Sequence, residues 1–266
     1  MTAPATAPTR HQALDAALAA VNVDGQTAED LLAAARVLDG DPFLRRALAD
    51  PTVPQEQRTQ IVASLFRGKV TPAALSVIQA GAAQTWSAGQ ALVGALERQG
   101  IKAVWRWAER EGLLDQVIDE LFSTGQMVTK TPELRRAVTD FTVTVDRRRF
   151  LVQQILGRTI QPQTLALIEH AAVTHHATFE DAIARDLELV GQLTGQLVAV
   201  ATVAQPLTAT QRTKLANTLS TRAGRPVQIQ EVIDRSVLGG IRVELGDEVI
   251  DGTLTARLGA ARRHLT

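Results

Sequence analysis

The chain has 266 residues, with 28 Lys and Arg against 28 Asp and Glu, no cysteine, no tyrosine, and only three Trp and six Phe. Zero net charge excludes a protein whose main partner is a phosphate backbone, and the scarcity of aromatics removes the stacking platforms that hold single strands. Without cysteine there is no disulfide framework, thiolate zinc site or Cys nucleophile, while 45% hydrophobic residues suffice for an aliphatic, Ala-rich core of closely packed helices.

Residues 1–9 hold Pro, Thr and Ala but no apolar run, so they read as a flexible tail rather than a signal peptide. Residues 10–100 read as a bundle of about six short helices. Asp41-Pro42 and Thr71-Pro72 each place a capping side chain before a proline at the first helical position, where the missing N–H costs nothing. Ile61, Val62, Leu65 and Phe66 recur at helical spacing, and Gly68 follows closely enough to end that helix in the left-handed conformation.

Residues 101–195 repeat this pattern. Shifted by 90 positions without a gap, Pro42-Phe-Leu-Arg-Arg-Ala-Leu48 falls on Pro132-Glu-Leu-Arg-Arg-Ala-Val138, and positions 42 to 82 give fourteen identical pairs. Chance would give about three. Two copies are too few for a solenoid, so the expectation is a duplicated helical domain. Thr131-Pro132 repeats the cap, and Val152, Ile155 and Leu156 repeat the stripe.

After Gly195 the periodicity changes. Leu197–Ala204 suits a buried strand, although at eight residues it is far below the roughly 20 a membrane helix needs. Thr208–Thr221 suits a helix after the Pro206 break. Val227 and Ile229, then Ile241, Val243 and Leu245, alternate with polar residues, and Gly246-Asp247 separates the second run from Val249-Ile250 as a tight hairpin would. Leu254, Leu258, Ala261 and Leu265 share one face of a closing helix, with Arg257, Arg262 and Arg263 off that face. Residues 196–266 are therefore expected to form a small α/β domain. The chain as a whole reads as a mostly helical, soluble protein.

Catalytic constellations fail one by one. Gly68-Lys69 lacks the first glycine and the hydroxyl residue of a phosphate loop, with Ala63 and Val70 in their places. His170, His175 and His176 cluster without completing H-E-x-x-H, and read as a surface or helix-end group. Asp247, Glu248 and Asp251 sit at a turn, where Asp serves the backbone. Gly239-Gly240 reads as a turn or a close backbone approach. The arginine pairs 45–46 and 135–136 and the run Arg147–Arg149 read as solvated faces. No cofactor, metal or catalytic group is implied.

The segment Asp234-Arg-Ser-Val-Leu-Gly-Gly-Ile-Arg-Val-Glu-Leu-Gly-Asp-Glu-Val-Ile-Asp-Gly-Thr253 resembles the signature of the F-type ATP synthase delta subunit, the family of the oligomycin-sensitivity-conferring protein. The resemblance rests on Asp234, Ser236, Leu238, Gly239, Gly240, Gly246, Asp247, Asp251 and Gly252, followed by the basic closing helix. Ala201–Thr208, Asp41–Pro51 and Ala103–Leu121 resemble other family segments, and two helical copies resemble the enlarged actinobacterial form, as does the preference for Arg over Lys.

The resemblance implies a non-catalytic stator in the peripheral stalk, at the cytoplasmic face of a bacterial membrane that it meets only through partners. The helical part would receive N-terminal helices of the alpha subunits, and the C-terminal domain would meet the b subunit. Contacts are expected at Val104, Trp105 and Ala108 in the second copy, which adjoins the C-terminal domain, and at Arg257, Arg262 and Arg263. Nucleic acid is not expected as a partner. The competing reading is a helical scaffold or regulatory protein unrelated to the synthase.

Overall fold

The computed structural model describes residues 9–237, 239–245 and 248–253. The chain divides into two compact units, one of residues up to Leu121 with Met127–Phe179, the other of Phe122–Gln126 with the chain from Glu180 on.

Helix α1 spans Arg10–Ala19 and opens with a capping box, in which Thr9 and Gln12 each accept from the other's backbone N–H. Helix α2 (Gly25–Gly40) is capped by Asp24, α3 (Pro42–Ala49) by Asp41, and α5 (Pro72–Ala83) by Thr71. Between them lies α4 (Gln55–Phe66), ended by Gly68 at φ 75°. The stripe on α4 is narrower than its spacing suggests, since Val62 and Phe66 are buried while Ile61 and Leu65 are only half-buried.

The repeat is carried into three dimensions helix by helix. α8 (Pro132–Thr139), α9 (Val145–Leu156) and α10 (Pro162–Val173) begin 90 positions after α3, α4 and α5. α7 (Leu114–Lys130) follows α2, and α11 (Phe179–Thr194) begins 90 positions after α6 (Gly89–Arg110). Thr131 occupies the cap position of α8 but makes no side-chain cap bond, so Pro132 alone carries that start. On α9, Val152 and Leu156 are buried and Ile155 is exposed.

α6 is one uninterrupted helix across the division expected at residue 100. Its second half is also the first helix of the second copy, the counterpart of α1. Gly100 lies inside α6, where a Cβ would come within 2.6 Å of Leu32 Cδ2, so the glycine serves close helix packing.

Arg148, expected to be solvated, is buried instead, and so is its counterpart Arg58. Arg58 and Arg148 are 4% and 1% exposed, because each satisfies carbonyls at the end of a neighbouring helix. Arg45 pairs with Asp39 and Arg149 with Glu169.

The C-terminal sheet has strand order β2-β1-β3-β4. β1 (Leu197–Val203) runs parallel to β2 (Val227–Ile233), and α12 (Ala209–Ala223) makes the crossover between them. β3 (Ile241–Leu245) pairs antiparallel with β1 and with β4 (Glu248–Asp251), placing Leu245 opposite Glu248. Ala199, Ala201, Leu219, Val227, Ile229 and Val243 form its core.

Candidate partner-binding site

The signature residues that can be followed fix backbone. The Asp234 carboxylate accepts from Ser236 N (2.9 Å), and Asp234 N donates to Val203 O (2.9 Å). Gly239 and Gly240 have φ of 68° and 85°, and a Cβ on Gly240 would collide with the Gly252 carbonyl oxygen. Asp251 accepts from Thr253 N, and Gly252 N donates to Ile241 O, both at 2.9 Å. These bonds hold the loop beside β3 and β4. Leu238, Gly246, Asp247, Arg257, Arg262 and Arg263 lie outside the described residues.

Val104, Trp105 and Ala108 are buried within the chain itself, at 0%, 1% and 0% exposed, on a helix that packs against both α2 and α10. Gly25 sits against the Trp107 ring and Leu32 against Gly100. Lys102, also buried, donates to Asp15 Oδ1 (2.5 Å), and Gln99 donates to the same oxygen (2.8 Å). Burial alone would raise the Asp15 pKa, but those two hydrogen bonds and the Lys102 charge outweigh it and hold the carboxyl below its usual range.

The repeat makes the next comparison direct. Ile101, Lys102 and Ala103 on α6 are buried, whereas their counterparts on α1, His11 and Gln12, are exposed and Ala13 is half-buried. On α10, Gln163, Glu169 and His170 are buried, with Gln163 donating to Glu111 at 2.7 Å, whereas Ala73, Gln79 and Ala80 on α5 are half-buried. So the first copy leaves open, along α1 and α5, the face that the second copy has covered. Gln12 and Ala16 are exposed there, and alanines at 13, 17 and 80 let another backbone approach closely. Composition pointed to Ala-rich helices but could not tell which copy kept this face open.

The three histidines part company. His170 is buried in α10, His175 packs against Phe141, and His176 Nε2 lies 3.2 Å from Asp39 Oδ1. None of the described His, Cys, Asp and Glu residues gather in threes that could hold a metal ion.

Residues 101–265 match the family described as ATP synthase delta (OSCP) subunit. The chain is 39% identical over 256 residues to the ATP synthase subunit delta of Kineococcus radiotolerans, covering 96% of this chain and 93% of that one. It is 38% identical over 238 residues to that of a Nocardioides species, covering 90% and 86%. With the Streptomyces avermitilis protein of the same name it shares 36% over 263 residues, covering 98% and 96%.

Proposed function

The chain belongs to the ATP synthase delta (OSCP) subunit family, and on that premise we propose that it is the non-catalytic stator subunit linking the catalytic head to the b subunit of the peripheral stalk. Turnover exerts torque on the head, and a stator resists it by holding two partners at once. Two modest interfaces on one chain give effective tightness by avidity, without any reacting group. No described helix is long and apolar enough to cross a membrane. In this reading attachment runs through the partners, at the cytoplasmic face. The relatives named above are synthase subunits, which weighs against an unrelated scaffold.

The N-terminal helix of an alpha subunit docks on the open face of α1 and α5. The observation supporting this is the contrast between buried Ile101, Lys102 and Ala103 and their uncovered counterparts His11, Gln12 and Ala13. A helix laid there would take the place that α2 takes on α6. Titration of the full chain with the N-terminal peptide of its own alpha subunit tests the placement. Ala16→Trp should weaken binding, and an unchanged affinity with folded protein would move the contact elsewhere.

The b subunit is met by the C-terminal domain, whose closing segment carries Arg257, Arg262 and Arg263. Reversing those three charges should weaken capture of b while leaving alpha-peptide affinity intact. Equal loss at both partners would contradict this division of labour.

A further inference from the structure

α2 and α6 run in opposite directions. Gln90 at the start of α6 donates to Asp39 near the end of α2 (3.1 Å), Leu32 lies against Gly100, and Gly25 at the start of α2 lies against the Trp107 ring. Arg110, the last residue of α6, donates to the Val23 carbonyl just before α2. α2 therefore follows α6 past residue 100, onto the half that belongs to the second copy.

Gly100 and Trp107 correspond to Arg10 and Ala17 on α1. Asp15 of α1 closes the strip beside them by accepting from Lys102 and Gln99. α2 also meets α10, where the charges of Arg36 and Glu169 attract each other. The second copy's equivalent of the α1 and α5 face is thus filled from within the chain.

α2 is held from its other side as well. Ala28, Leu31, Ala35 and Leu38 form an adjacent stripe, each 0% exposed, and Asp30 accepts from Thr71 N (2.6 Å) at the start of α5. Withdrawing α2 from α6 would open the core of the first copy too, which makes any incoming helix a poor competitor for that place.

We propose that α2 is the permanent occupant of the second copy's docking face, an internal counterpart of the helix that α1 and α5 take from another subunit. The duplicated chain then receives one partner helix rather than two. The likeness to a partner helix rests on the docking reading above; the fixed seating of α2 does not.

The test uses the full chain, which has no cysteine of its own, so Leu32→Cys with Gly100→Cys can staple α2 to α6 on oxidation. Titration with the N-terminal peptide of the alpha subunit should give one peptide per chain, with an affinity that oxidation changes by less than about twofold. Amide exchange in the parent chain needs neither variant nor peptide. It should release α2 and residues 100–110 together, at rates within about threefold of each other. Two peptides per chain, affinity lost on oxidation, or α2 exchanging about tenfold ahead of residues 100–110 would each overturn the proposal. A peptide that binds nowhere, with exchange still matched, would overturn the alpha-subunit contact and uphold the seating of α2.

Discussion

Arg58 and Arg148, ninety positions apart, perform the same task in the two copies: Arg58 Nε donates to the Ala82 carbonyl at 2.9 Å, and Arg148 Nη1 to the Ala172 carbonyl at 2.6 Å. Each arginine ties α4 or α9 to the end of the following helix. Arg58 reaches Asp50 O and Ala83 O as well, whereas Arg148 adds a stacking contact with the Phe141 ring at 4.6 Å. Truncation of either orphans buried carbonyls. Arg58→Ala should cost about 3 kcal/mol and Arg148→Ala about 2 kcal/mol, read by denaturant unfolding. The reverse order would mean that the ring contact outweighs the extra carbonyl bonds.

Acid should weaken the fold through His170. Burial, and then the nearby Arg36 charge, lower its pKa from 6.5 to about 4. The folded state therefore refuses a proton that the unfolded chain accepts between those values. Stability from this group is complete above about pH 6.5 and is lost as pH falls towards 4, by about 3 kcal/mol in all. Thermal unfolding at pH 7 and pH 4.5, for the parent and for His170→Leu, measures it. The variant should show a smaller acid loss.

Gly240 and Gly224 offer a matched pair. Both have positive φ, 85° and 68°, but a Cβ on Gly224 would meet nothing within 4 Å, while one on Gly240 meets the Gly252 carbonyl and Thr253 Cα. Gly224→Ala should cost about 1 kcal/mol from backbone strain alone. Gly240→Ala should cost clearly more, because backbone must move. Equal unfolding midpoints would show that the segment around Gly252 yields freely.

Removing residues 1–100 cuts α6 in its middle and strips α2 from α6, where Gly25 packs against the Trp107 ring. The remaining fragment should show red-shifted tryptophan emission and bind a hydrophobic dye. A fragment with blue-shifted emission and a cooperative melt would mean that the second copy closes its own surface.

Much of this architecture is legible from particular residues. Proline after a capping side chain placed the starts of α3, α5 and α8, an apolar run placed β1, and alternation placed β3 and the start of β2, although β2 runs on to Ile233. Two things were hidden. Gly100 signals a break by its own propensity and is overruled by Leu32, which needs room against α6. Arg148 is disguised by its neighbours, since Arg147 and Arg149 lie beside it and one exposed residue hardly differs from one buried residue in a run of like charges. The only hint was that Arg58 and Arg148 occupy matching columns of the repeat.

The open face on α1 escaped for a different reason. Burial there depends on α2, a helix whose reach along α6 follows from three-dimensional packing and leaves no periodic mark. Trp105 resembles an anchor in sequence because aromatic residues often are, yet at 1% exposed it is core.

The unbroken course of α6 has a mechanical consequence. Where two repeats are joined by a loop, a force on one reaches the other only after the loop has been drawn taut. Here the final helix of one repeat is the first helix of the next, so strain entering near α1 passes along a ladder of backbone hydrogen bonds, with no slack to be taken up before the second repeat feels it. The second repeat in this respect lengthens a strut without adding a joint.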